Sequence, residues 1–146
     1  MFKINHINIK GFRRLGDVDL PIRPLMVLIG ANGVGKTSFV DAFSLLSASA
    51  SGRLSSALSQ LGGVSSLLTR DRAQDISFLV DMEDPGHNPL KYELCLSQKG
   101  SGYFISRELL SQIREGFPEP FKHIDSHDGD IRYFAGEDRT LLRPDW

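Results

Sequence analysis

Five consecutive aliphatic residues, Leu25 to Ile29, run straight into Gly30-Ala31-Asn32-Gly33-Val34-Gly35-Lys36-Thr37. An apolar run of this kind, bounded by Pro24 and Gly30, predicts a central strand covered on both faces. Beyond the glycines, Phe39, Phe43, Leu46 and Ala50 share one face of a helix expected from about Gly35 to Ala50. Glycines let successive backbone N–H groups converge on one point, and the helix N-terminus adds partial positive charge there. The spacing G-x-x-x-x-G-K-[ST], with a strand before it and a helix after it, therefore predicts a phosphate site. Lys36 sits in the first helical turn, where the dipole disfavours a cation unless an anion lies beside it. The reading that follows is a nucleoside triphosphate, ATP with Mg²⁺. Asn32, Gly33, Val34, Gly35, Lys36, Thr37 and Ser38 would wrap the phosphates, with the Thr37 hydroxyl on Mg²⁺ and Ser38 near the α-phosphate.

The remaining pattern organises around this unit. Residues 2–10 alternate as a strand, with a change of face around His6 that hints at a bulge or at burial on both sides. Residues 11–16 turn the chain, and Asp17 to Leu20 is a short partner strand. Leu54, Leu58 and Leu61 mark a second short helix, closed by Gly62-Gly63. From Asp75 onward Ile76, Phe78 and Val80 alternate, then Tyr92, Leu94 and Leu96, then Tyr103 and Ile105. Turns at 84–89 and 98–102 make these an antiparallel meander. The expected organisation is a phosphate-loop core over 1–70, antiparallel strands over 75–113 and a turn-rich segment over 114–146.

Composition bounds the class. With 40% hydrophobic and 24% charged residues the chain is globular, and its one cysteine, Cys95, excludes an internal disulfide. A start without a continuous apolar stretch is no signal peptide, and no run approaches the roughly 20 residues of a membrane helix. The expected location is cytoplasmic, with no membrane partner. The net charge of −1 gives no global basic footprint for nucleic acid. Residues 1–23 nevertheless carry five basic against two acidic groups, and residues 108–146 nine acidic against five basic. The basic end is either a solvated surface or lies near phosphates.

The N-terminal strand, the turn Gly11-Phe12-Arg13-Arg14 and the stretch from Val27 to Phe43 resemble the ABC-type ATPases of the RecF, SMC and OLD clan. The likeness covers residues 2–46 well, and the meander with Ile105 to Leu109 more loosely. Asn32-Gly33 within the loop is typical of that clan. The resemblance implies an α/β P-loop NTPase fold: an ABC-ATPase-like first lobe, with a mixed or antiparallel sheet around the phosphate-loop helix. It implies that Arg13 or Arg14 approaches the nucleotide. It also implies a head–head homodimer that sandwiches ATP and hydrolyses it at the interface, acting on DNA or on an effector protein. The clan's signature motif, Asp-Glu strand and switch histidine are not recognisable in this chain. That points to an N-terminal lobe whose second lobe lies elsewhere.

Other residues offer alternatives. Ser77 to Asp81 is a hydrophobic strand ending in an acid, and would suit Asp81 as the Mg²⁺-site aspartate of a self-contained small NTPase or kinase. A non-catalytic nucleotide-binding module is the third reading, and the lack of N-K-x-D counts against a GTPase. Gln60, Gln74 and Gln98 are each candidates for the clan's magnesium-contacting glutamine. His123 and His127, with Asp125, Asp128 and Asp130, have the composition of a metal site but read as a solvated loop. Cys95 reads as a small strand residue rather than a nucleophile.

Overall fold

Among the described residues, alternating apolar side chains build one antiparallel sheet, and three helices cover one of its faces. The computed structural model describes residues 1–70, 72–130, 132–135 and 140–142. The strands are β1 (Lys3–Phe12), β2 (Leu15–Pro21), β3 (Asp75–Glu83), β4 (Leu90–Lys99), β5 (Gly102–Gln112), β6 (Phe121–His127), β7 (Tyr133–Ala135) and β8 (Thr140–Leu142). Their order is β2-β1-β3-β4-β5-β6-β7-β8, and every described pairing is antiparallel. The helices α1 (Lys36–Ala50), α2 (Leu54–Gln60) and α3 (Val64–Leu67) fall between β2 and β3. The fold is thus α/β with an antiparallel sheet. The face switch in β1 is a register shift between Ile4 and His6 opposite β3.

The core lies between sheet and helices. Ile7 and Ile9 of β1, Ile76, Phe78 and Val80 of β3, and Leu94 and Leu96 of β4 meet Ala42, Leu45, Leu54, Leu58, Val64 and Leu67 from the helices. Each large side chain buried there contributes about 1.5–3 kcal/mol of transfer free energy. Strand alternation leaves Asp81, Lys91, Glu93, Arg107 and Asp125 on the opposite face, where they pair with one another and with His6.

Three expectations change. Residues 25–29 form no strand, and Leu25 and Ile29 are 82% and 90% exposed. Among the described residues no strand pairs with the run, although β2 ends the sheet with one edge open.

The buried stripe of α1 is also rotated. Ser38, Ala42 and Leu45 face the sheet, Phe39, Phe43 and Leu46 flank it, and Ala50 is exposed. Small side chains at 38 and 42 allow the helix to approach the strands closely.

Finally, His123 to His127 belongs to a strand rather than a loop. It pairs with β5, Phe121 and Ser126 are buried, and Arg107 answers the charge of Asp125.

Candidate functional site

The turn between β1 and β2 is held in an unusual conformation. Arg13 has φ 50°, a left-handed value that costs a non-glycine residue about 1 kcal/mol or more. Two hydrogen bonds from the chain around α3 offset this. Arg13 N–H donates to Leu67 O at 2.5 Å and Thr69 N–H donates to Gly11 O at 2.9 Å, and together they make an antiparallel bridge between Phe12 and Leu68. The Arg13 guanidinium pairs with Asp41 on α1. The turn, α1 and the chain after α3 thus form one locked corner.

The glycine loop starts α1 against this corner. Gly33 and Gly35 have φ of 81° and 118°, which side-chain-bearing residues rarely adopt. A Cβ on Gly35 would meet Leu15 Cδ2 at 3.2 Å, so the loop sits tightly on the β1–β2 turn. Gly35 is the N-cap; no side chain caps the helix, and no acidic residue stands in its first turn. The first N–H groups of a 15-residue helix are left for an anion. Lys36 Nζ donates to Gly30 O and to Ala31 O, the latter at 2.7 Å, so an incoming phosphate would compete with these carbonyls.

A cavity of about 200 Å³ lies here, lined by Arg14 and by every residue from Asn32 to Ser38 except Val34. Val34 is 57% exposed and does not line it. Ser38 is buried, and Thr37 is exposed one residue before it. Of the two expected arginines, Arg14 lines this cavity, whereas Arg13 turns to Asp41. Ser38 and Arg14 also line a larger neighbouring cavity that includes Arg70 and Arg72. Sequence reading did not single out those two arginines. Their signal was their spacing on either side of Asp71, but nothing local ties residue 70 to residue 14.

The other candidates lie apart from this cavity. Asp81 is on the sheet face away from the helices, 3.4 Å from His6 Nδ1 and 3.6 Å from Lys91 Nζ. Gln60 lines a separate groove between α1 and α2, and Gln98 donates to Gly100 O within the β4–β5 turn. Gln74 is exposed just before β3. His123 meets Gln112 Oε1 at 3.2 Å, and burial, then the charge of Arg114, lowers its pKa. Burial works against ionising Asp125, but hydrogen bonds from Lys122 and Arg107 outweigh it and bring the carboxyl to about 2. No group of three or more His, Cys, Asp and Glu among the described residues is placed to hold a metal. Burial pushes the Cys95 thiol up, the opposite of an activated nucleophile. No helix among the described residues is long and apolar enough to cross a membrane.

Similarity to known proteins gives the family. The family model described as "AAA ATPase domain" matches residues 2–127. A curated relative, the OLD nuclease of Thermus scotoductus (strain ATCC 700910 / SA-01), is 42% identical over 43 residues. That alignment covers 30% of this chain and 8% of the relative, so the chain spans a small part of the relative's length. The resemblance to the RecF/SMC/OLD-like clan is borne out by both. With the match running from the first strand through β6, the chain belongs to the AAA ATPase domain family, ATP-binding proteins in the general sense.

Proposed function

We propose that residues 30–38 bind the triphosphate of Mg²⁺-ATP, with Arg14 as the basic group that reaches it from the β1–β2 turn. The observation that carries this reading is the 200 Å³ cavity at the uncapped N-terminus of α1, where the glycine backbone, Lys36 and Arg14 converge. The residues fit the ligand chemically. Backbone N–H groups and two cations suit phosphate oxygens, and the exposed Thr37 hydroxyl is an oxygen ligand for a hard divalent cation. Arg13 then has a positioning role: its pair with Asp41 keeps the turn, and so Arg14, against the helix.

In this reading the chain is the first lobe of a larger ATPase. The exposed run at 25–29 becomes a central strand when further strands pair with it, because five adjacent aliphatic residues make a poor solvent surface. Hydrolysis then needs groups carried by the second lobe and by a second copy of the head, with DNA or an effector protein as the downstream partner. The self-contained alternative is disfavoured by Asp81, whose side chain is paired on the opposite face of the sheet.

Thermal unfolding with and without Mg²⁺-ATP tests the binding step. ATP at about 100 times its Kd stabilises the chain by about 2.7 kcal/mol. Lys36→Ala should abolish most of that gain without lowering the stability of the free chain. Equal stabilisation of both proteins would refute the assignment.

A further inference from the structure

The larger cavity beside the glycine loop encloses about 750 Å³, and four arginines line it: Arg13, Arg14, Arg70 and Arg72. Its other polar lining includes Ser38 and Thr69, and no carboxylate of the described residues lines it. Asp41 answers the charge of Arg13. Arg14, Arg70 and Arg72 make no ion pair among the described residues, so three basic residues line one space with no counter-charge from those residues. Three basic residues around one space attract an anion into it. A second observation points the same way. Thr69 Oγ1 is buried without a hydrogen-bond partner among the described residues, an arrangement that native structures usually resolve with a ligand or water.

The backbone prepares this arrangement. Thr69 N–H is anchored on Gly11 O, and the N–H groups of Arg72 and Ala73 return to Thr69 O at 3.3 and 3.2 Å. These hydrogen bonds keep Arg70 and Arg72 on the same corner that holds Arg14. The triphosphate assigned to the loop already meets Lys36, Arg14 and the helix N-terminus. The uncharged nucleoside half of that ligand would leave Arg70 and Arg72 unanswered, even where Leu61 and Leu68 wall the cavity.

We propose that this cavity is a second phosphate subsite, in which Arg70 and Arg72, with Arg14 shared between the two cavities, hold an inorganic or nucleotide-borne phosphate group. Planar guanidinium forks suit phosphate oxygens bidentately. The proposal rests on the phosphate-loop reading only through the shared Arg14.

Calorimetric titration of the full chain with inorganic pyrophosphate tests it. The Lys36→Ala protein should retain pyrophosphate binding, and adding Arg70→Ala with Arg72→Ala should weaken it tenfold or more. A charge-matched control, Lys3→Ala with Lys99→Ala, should change it little, and Arg70→Lys with Arg72→Lys should retain part of it. Circular dichroism checks folding; both arginines are exposed. In the Lys36-containing protein, an unchanged ATP affinity in the Arg70/Arg72 double alanine variant marks a separate inorganic phosphate. A tenfold loss marks a phosphate of the nucleotide itself. The proposal is overturned if Lys36→Ala binds no pyrophosphate, if the control weakens binding equally, or if adenosine binding depends on the arginine pair. Failure of wild-type protein to respond to ATP, with arginine-dependent pyrophosphate binding intact, would sink the phosphate-loop reading alone.

Discussion

Gly11→Ala separates the corner that positions Arg14 from the rest of the fold. Gly11 has φ 71°, and a Cβ there would stand 2.2 Å from Asp75 O and 3.0 Å from Ala73 Cβ. The left-handed backbone alone costs alanine about 1 kcal/mol. The overlap with a backbone oxygen cannot be relieved by rotating a side chain, so β1 must move away from the start of β3. That movement strains two hydrogen bonds, from Thr69 N–H to Gly11 O and from Arg13 N–H to Leu67 O, each contributing about 1 kcal/mol. The expected loss is about 3 kcal/mol. Gly52→Ala is the control: its φ is 68°, but nothing lies within 4 Å of the added Cβ, so only the backbone cost of about 1 kcal/mol applies. Urea unfolding of both variants gives the difference directly, and the Gly11 variant should also lose ATP stabilisation measured at matched fraction folded. If Gly11→Ala loses no more stability than Gly52→Ala, the locked-corner argument is wrong.

Two further outcomes follow from the ion pairs. Asp125 has its carboxyl lowered from the ordinary 3.8 to about 2 in the folded chain, so its contribution is complete above about pH 4 and lost as pH falls toward 2. Asp125→Asn should therefore cost on the order of 1–2 kcal/mol at pH 7, discounted for the half-exposed Lys122, and almost nothing near pH 2; an acid-unfolding series checks this. Arg13→Ala should lower stability by about 1 kcal/mol through the Asp41 pair, whereas Arg14→Ala should leave stability unchanged and weaken ATP binding at least tenfold; chemical unfolding and calorimetry on the two variants would refute the division of roles if the effects were exchanged.

Much of the fold was legible in the chain because the relevant interactions are local. Helix α1 follows from 3.6-residue periodicity after a glycine loop, and β3 to β5 follow from period-2 alternation joined by the turns at 84–89 and 98–102. The β6 strand was hidden because its lining is mixed: Phe121 and Ser126 are buried, while His123 and Asp125 meet partners on or near β5. Period-2 alternation shows only in hydrophobicity, and here polar groups are satisfied across the sheet instead. The rotated face of α1 was obscured for a related reason, since serine and alanine at 38 and 42 give little hydrophobic signal but permit close packing.

What the sequence determined by itself is the glycine loop and the helix that starts at it. Glycine's positive φ values, the lysine in the first turn and the helical period are properties of adjacent residues. Tertiary structure alone decided which arginine meets the loop, because one guanidinium can be claimed only by a partner from another element, and Asp41 claims Arg13. It alone brought Arg70 and Arg72 to Arg14, through the hydrogen bond between Thr69 and Gly11. The same rule governs residues 25–29. An apolar run states a tendency to pair, but a strand exists only where another strand is placed beside it, and none of the described strands is.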